Sequence, residues 1–335
     1  MSKTYVIEPG AGIESLTQRH EECPLPARRQ VRVRLHAASL NYRDFLVADG
    51  RYGQGGSRVP LSDGAGEVVD VGPDCTRFAV GDRVAGLFMQ GWTRGEVVDA
   101  DMQTALGGPV DGVLCEERLF EESGLVAIPD SLSFEAAATL PCAALTAWNA
   151  LHGLKTVASG DTVLALGTGG VSTFAVQFAA AAGARVIITS SSDDKLARVR
   201  ALGADEGINY RTTPNWGEEA RRLTGGRGVD FVVETGGPQT LPQSLAAVRR
   251  GGLVNMIGVL GQGEIDPLTI LASGAVVRGT VVGSGEMFEA MNRAIERNAI
   301  GPIIDRVFGW DQAQEAYRYL RASHHVGKVV IRFDR

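Results

Sequence analysis

Cysteine is scarce in this chain: its 335 residues hold four, Cys23, Cys75, Cys115 and Cys142, and none belongs to a C-x-x-C pair. That spacing excludes a disulfide framework and a zinc-ribbon pattern. No G-x-S-x-G elbow is present, so nothing supports a Ser-His-Asp hydrolase. Positive charge is not in excess either, the net charge being -6, which removes the electrostatic reason to expect nucleic acid or an anionic membrane as partner. A signal-like amino-terminal segment is lacking, and no apolar run is long enough to span a bilayer. A cytoplasmic protein is expected. Internal repeats, low-complexity segments and long linkers are also missing.

What is present suits a compact α/β chain, with 44% hydrophobic residues and 43 glycines over a length that suggests two domains. Residues 5–128 read as short strands punctuated by Gly, Pro and Asp, among them 31–35, 66–72 and 81–87. That is the texture of a small β-rich domain. From Ser133 onward helix and strand alternate: a helix-like stretch at 134–151 precedes strands near 162–166, 185–189, 207–209, 230–234 and 253–257, with helices between them. Such alternation implies right-handed crossovers and a parallel sheet covered on both faces. After Gly274 come a strand at 275–282, helices at 287–297 and 310–321 and a last strand at 328–333. This part is expected to return to the first domain, giving 1–127 completed by 283–335, and 128–282.

Gly167-Thr168-Gly169-Gly170-Val171-Ser172 follows the apolar run 162–166 and opens an Ala-rich helix. A glycine-rich turn there offers free N–H groups and a helix dipole to a pyrophosphate. An ordinary tight turn would read the same way on these residues alone. The second strand decides for a dinucleotide, and it ends in Ser190-Ser191-Ser192-Asp193-Asp194-Lys195. An NAD enzyme places an acidic residue at that strand end for the ribose 2′-OH. Small hydroxyls leave room for a 2′-phosphate, and Lys195 adds a cation one turn on, so NADP(H) is expected over NAD(H). Ser192 or Asp193 would cap the helix in either case.

These tracts, with Ser39-Leu40-Asn41-Tyr42-Arg43-Asp44, Asp63-Gly64-Ala65-Gly66-Glu67-Val68, Leu140-Pro141-Cys142-Ala143-Ala144 and Gly327-Lys328-Val329-Val330, resemble the medium-chain dehydrogenase/reductase superfamily, in its zinc-free quinone-reductase-like and alcohol-dehydrogenase-like branches. The resemblance spans the whole chain. It implies a GroES-like β-rich catalytic domain, a Rossmann doubly wound parallel sheet and an active site in the cleft between them. The zinc-dependent branch carries a cysteine where this chain has Asn41 and His-Glu where it has Ser62-Asp63, while the third ligand position is Cys142. An amide, a hydroxyl and one thiol make a poor zinc site. The lobe at 90–112, where relatives hold a structural zinc, has no cysteine. No metal is expected, and Cys142 reads as a small buried hydrophobe.

Without zinc, the substrate oxygen must be polarised by fixed donors. The resemblance assigns this to Asn41, with Tyr42 and Tyr52 lining the cleft and Asp63 as a base if burial raises its pKa; Asp63 serving only as a turn acceptor and Tyr42 only as seam packing remain open. Arg43 and Asp44 read as a structural pair. The resemblance also implies a cofactor role for Thr146, Tyr210, Gly236, Gly258, Val259 and Leu260, and for Ser323 and His324 near the phosphate or the nicotinamide ribose. Relatives often have an arginine after the Val-Gly-Ser tract, where this chain has Gly285. Three readings of function follow. The first is a zinc-independent NADP(H)-dependent alcohol dehydrogenase or carbonyl reductase, the second a quinone or enone reductase, and the third a NADPH-binding structural protein without turnover. The β-branched run 275–282, last in the parallel series, is expected to be buried on both faces and to pair with a second copy in a homodimer.

Overall fold

A computed structural model describes residues 1–52 and 56–333. Its contacts divide the chain into two compact units, one of residues 1–145 with 283–335 and one of residues 146–282. The β-rich unit begins with β1 (Ser2–Val6), β2 (Thr17–Glu21), β3 (Gln30–Ser39), β4 (Asp63–Val71), β5 (Arg83–Gly86), β6 (Glu117–Glu121) and β7 (Leu125–Ala127). The second unit holds β8 (Thr162–Leu166), β9 (Arg185–Ser190), β10 (Glu206–Asn209), β11 (Val229–Glu234), β12 (Val248–Met256) and β13 (Val276–Gly279). The chain then returns with β14 (Ile304–Gly309) and β15 (Lys328–Arg332). No helix among the described residues is long and apolar enough to cross a membrane.

In the second unit the strand order is β10-β9-β8-β11-β12-β13, with every pair parallel. The chain starts at β8, winds outward to β10 and resumes on the other side of β8. This is the doubly wound order, and its reversal between β8 and β11 opens a crevice beyond the carboxyl ends of the strands. β8 and β11 are buried throughout, as near-continuous apolar strands must be when helices cover both faces. One polar group ties the centre together. Asp230 of β11, fully buried, accepts from Thr162 N–H of β8 at 2.9 Å, from Arg249 Nε of β12 at 2.6 Å and from both terminal nitrogens of Arg227. Burial pushes its pKa up, but these donors outweigh burial and bring it to about 2.

In the β-rich unit the order is β14-β15-β3-β4-β5-β7, with β6 also on β3, and β1 and β2 pair separately. Val31, Val33 and Leu35 of β3 are buried while Arg32 and Arg34 between them are not, the alternation of an antiparallel strand with one face on a core. That core includes Ile7, Phe45, Leu114 and Tyr317.

Four expectations differ from the structure. The contacts draw the boundary at 145/146 rather than 127/128: Phe134 stacks on His36 of β3 at 4.4 Å, and Cys142 N–H donates to Asp63 Oδ2 at 3.2 Å. The helical stretch 134–151 is broken into a helix Phe134–Ala137, a π-helical turn Leu140–Ala144 and a helix Leu145–His152. Pro141, which cannot donate to a preceding carbonyl, sits where the helix gives way. The strand expected at 275–282 is only Val276–Gly279, and Val276 is 46% exposed. Among the described residues it has one strand neighbour, β12, so one edge is open there. Finally, a helix at Pro267–Ser273 was not expected, although Asp266 caps it by accepting from Leu268 N–H and Pro267 occupies its first turn.

Candidate functional site

Three strands of the β-rich unit converge on one polar cluster. Ser39, the last residue of β3, lies opposite Asp63 of β4 on one side and Val330 of β15 on the other. Register then brings Asn41, Asp63 and Lys328 together. Asn41 is also the N-cap of the helix Tyr42–Ala48: its N–H donates to Asp44 Oδ2 at 2.7 Å and its C=O accepts from Asp44 N–H at 3.0 Å. The reciprocal bonding of cap and third residue locks the helix start in place.

Lys328, only 3% exposed, donates from Nζ to Leu40 O at 2.6 Å and to Asn41 Oδ1 at 2.5 Å. An ammonium only donates, so the Asn41 oxygen must be the atom that faces it. Asn41 Nδ2 is left buried, with no hydrogen-bond partner among the described residues. Asp63 is fully buried and accepts from Ser62 Oγ at 2.7 Å as well as from Cys142 N–H. Burial pushes its carboxyl above the usual range, opposed by the Lys328 cation, the Asn41 amide, Ser62 and Cys142. The amide thus lies close enough to favour the carboxylate without closing a hydrogen bond of normal geometry.

Around this pair sit further charges. Asp44 is buried, its Oδ1 3.6 Å from Arg43 Nη1, the structural pair expected from the sequence. Arg43 donates to Leu106 O at 2.6 Å and lies over the rings of Tyr52, at 4.7 Å, and Phe88, at 4.9 Å. Tyr52 is therefore the platform of a buried cation. Tyr42 is not drawn into the cluster: it is 42% exposed and meets the Phe45 ring edge-on at 5.9 Å. Cys142, on the π-helical turn beside Asp63, is half-buried rather than the buried hydrophobe expected. Burial and then the Asp63 charge push its thiol up, so it stays protonated at neutral pH.

The second unit carries the glycine-rich turn at the carboxyl end of β8. Gly167 has φ +71, a conformation that favours glycine, and a side chain added at Gly167 or Gly169 would meet nothing within 4 Å. Open space therefore stands before the helix Gly170–Ala181, whose first N–H groups have no intrahelical partner. This fits a pyrophosphate. Ser172, in place of the third glycine, is buried and donates its hydroxyl to Leu166 O at 2.5 Å, so strand and helix pack closely despite a side chain. Thr168 is buried against the turn, Val171 is partly so, and Thr146 is buried at the start of Leu145–His152.

At the end of β9, Ser190 is buried, while Ser191 and Lys195 are partly exposed. Ser192 caps the next helix by accepting from Lys195 N–H at 3.4 Å. Tyr210, 41% exposed, donates its N–H to Ser190 O at 3.0 Å, so its backbone is tied to that strand end. The nearby Asp193 accepts from Asn209 Nδ2 at 2.9 Å. After β11, a side chain on Gly258 would fall 2.0 Å from Thr235 O, so the turns after β11 and β12 touch through Gly236 and Gly258, with Val259 and Leu260 half-exposed beyond them. Ser323 and His324 belong to the β-rich unit, exposed after the helix Ala313–Arg321, with Ser323 Oγ donating to Arg321 O at 3.3 Å.

Residues that could hold a catalytic metal are Asn41, Ser62, Asp63 and Cys142, and they do not fit one. The amide oxygen and the carboxylate are already occupied by donors, the thiol is protonated, and the Lys328 ammonium among them would repel a divalent cation. No group of three His, Cys, Asp or Glu among the described residues is arranged to hold a metal.

Residues 27–130 match the family model of the alcohol dehydrogenase GroES-like domain, and residues 170–297 that of the zinc-binding dehydrogenases. A zinc-type alcohol dehydrogenase-like protein of Schizosaccharomyces pombe is 44% identical over 346 residues, covering 100% of each chain. The chain belongs to the medium-chain dehydrogenase/reductase family. A quinone oxidoreductase of Pseudomonas aeruginosa is 32% identical over 344 residues and 99% of each chain. A solved structure of a NAD-dependent alcohol dehydrogenase is 33% identical with a TM-score of 0.90, covering 99% of this chain and 100% of that one. This membership makes the protein an oxidoreductase with a GroES-like and a Rossmann domain.

Two residues of the site were not read from the sequence. Lys328 stood out only as part of a motif, although a lysine inside the apolar run 326–331 was a signal. Glu234, fully buried, accepts from Gly236 N–H at 2.8 Å, Gly237 N–H at 3.1 Å, Thr240 Oγ1 at 2.6 Å and Ser244 Oγ, and so shapes the turn after β11.

Asp44 yields a pH prediction. Burial raises it to about 6, with Asp63 adding to the rise and Arg43, the Asn41 N–H and Lys328 opposing it. The folded value lies above that of an unfolded aspartate, about 3.9, so its contribution to stability is complete below about pH 4 and lost as pH rises to about 6. Two pKa units correspond to about 3 kcal/mol. Asp44→Asn keeps an oxygen for the Asn41 N–H and should gain up to that amount over wild type between about pH 4 and pH 7, read from urea unfolding at each pH. A difference between the two proteins that does not vary with pH would rule this out.

Proposed function

We propose that this protein is a zinc-independent, NADP(H)-dependent oxidoreductase that moves a hydride between nicotinamide and a small alcohol or carbonyl compound. The observation that carries the reading is the buried, unpartnered Asn41 Nδ2 beside a donor set that does not fit a metal. A bound nicotinamide dinucleotide would supply or accept the hydride. Asn41 Nδ2–H donates to the substrate oxygen on which negative charge develops, a role worth a few kcal/mol in a dry site. Asp63 holds Ser62 and the Cys142 N–H in place, Tyr52 supports Arg43, and exposed Tyr42 offers a wall to the substrate. Reduction of a quinone or an enone is the second reading, supported by the quinone oxidoreductase relative. Steady-state turnover with NADPH against aldehydes, enones and quinones tests both, and activity should survive dialysis against a strong chelator. Loss of activity that zinc restores, or no turnover of any of these classes, would overturn the reading.

The cofactor preference rests on the end of β9, where Ser190 and Ser191 stand in place of a carboxylate, Asp193 accepts from Asn209, and Lys195 and Tyr210 follow in the next helix and strand turn. NADPH is expected to bind at least about ten times more tightly than NADH, about 1.4 kcal/mol. Fluorescence titration should show Lys195→Ala losing most of that preference. Equal affinities in the wild type would refute it.

We also propose a homodimer formed by pairing β13 with its twofold mate. Its open edge, on a strand whose Val276 is 46% exposed, is a surface that native proteins cover or pair. Sedimentation should give dimers for the wild type and monomers or aggregates for Val277→Pro. A wild-type monomer at micromolar concentration would reject the interface.

A further inference from the structure

Lys328 has three N–H donors, and two are spent on Leu40 O and Asn41 Oδ1. No carboxylate closes an ion pair with it among the described residues, although its charge acts on Asp63, Asp44 and Cys142. A neutral donor would bridge those two oxygens without the cost of burying a charge, which is large unless the charge is offset. The geometry also makes the cation decisive for the neighbour. An asparagine amide turned by half a rotation would present its oxygen where its nitrogen now stands, and that form is excluded because an ammonium cannot face an NH2 group, with the Asp63 carboxylate near the amide acting in the same sense. The flipped amide would repel a developing oxyanion instead of binding it.

We propose that Lys328 is a positioning residue of the reaction, holding the Asn41 amide with Nδ2–H turned away from the ammonium and toward the substrate oxygen, and biasing the local potential toward negative charge there. The inference rests on Asn41 being the donor to substrate. It places the effect in the transition state rather than in substrate binding, since the charge on the oxygen grows only as hydride moves.

A double-mutant cycle tests it. Lys328→Met should lower kcat about 10²-fold with KM changed only a few-fold, the size of effect of losing one oxyanion donor. Asn41→Ala should lower it similarly. The double variant should fall no more than a few-fold below either single one, because Lys328 acts through Asn41. If Lys328→Met does not fold, Lys328→Gln, a neutral donor of shorter reach, takes its place in the cycle. Independently of turnover, the side-chain amide protons of Asn41, assigned by their loss in Asn41→Asp, should give one set of NMR signals in the wild type and two sets, or broadened ones, in the Lys328 variant. Losses that multiply in the cycle, or an Asn41 amide spectrum unchanged by the Lys328 substitution, would overturn the proposal. A wild type inactive toward every substrate class would refute the functional reading instead, and the amide spectra would still decide the role of Lys328.

Discussion

A positive charge carried inside the β-rich unit has to be met by oxygen atoms, and the arrangement that meets Lys328 constrains its surroundings. β15 must lie antiparallel to β3 in a register that sets Val330 against Ser39, because only then does the ammonium reach Leu40 O and Asn41 Oδ1. β4 must begin opposite the same residue, so that the buried Asp63 lies within reach of the cation. The helix Tyr42–Ala48 starts where this junction puts Asn41, and Asp44 reaches back to hold its N–H. Cap, strand register and charge thus specify one another.

The charges in this cluster do not behave alike. Asp63 and Asp44 are both buried and both pushed upward by burial, yet Asp63 keeps two hydrogen-bond donors while Asp44 Oδ1 has only a long ion pair with Arg43. Asp230 in the other unit shows the contrast. It is as buried as Asp63, but two arginines and a strand N–H hold it near 2. Two arginine cations set against Asp230 distinguish a carboxylate held ionised from Asp63 and Asp44, whose carboxyls burial raises.

In the second unit the demands come from the backbone. The doubly wound order puts the ends of β8, β9, β11 and β12 along one edge, and the turns there have to leave space for a ligand while staying rigid. Gly167 provides a positive φ, Ser172 ties its hydroxyl to Leu166 O so that the helix packs closely without a third glycine, and Glu234 gathers the donors of the turn after β11. Each of these is a local solution to unsatisfied backbone or side-chain groups at a strand end.

The periodicity of the chain was enough to determine the two-part α/β organisation, most strands of the parallel sheet and the glycine-rich turn, because burial on both faces and tight strand-to-helix turns leave contiguous signatures in residue type. The motif tracts likewise pointed to Asn41 and Asp63. The meeting of Asn41 with Lys328 was decided only by tertiary structure: 287 residues separate them, and strand register, not spacing along the chain, sets which side chains face each other. The same holds for the break at Pro141, where contacts of Phe134 and Cys142 with β3 and β4 assign the stretch to the β-rich unit. It holds also for β13, whose apolar composition says that it can be buried but not that one of its edges faces no strand among the described residues. Residue type records how much burial a position tolerates, while the identity of the partner is a property of the fold.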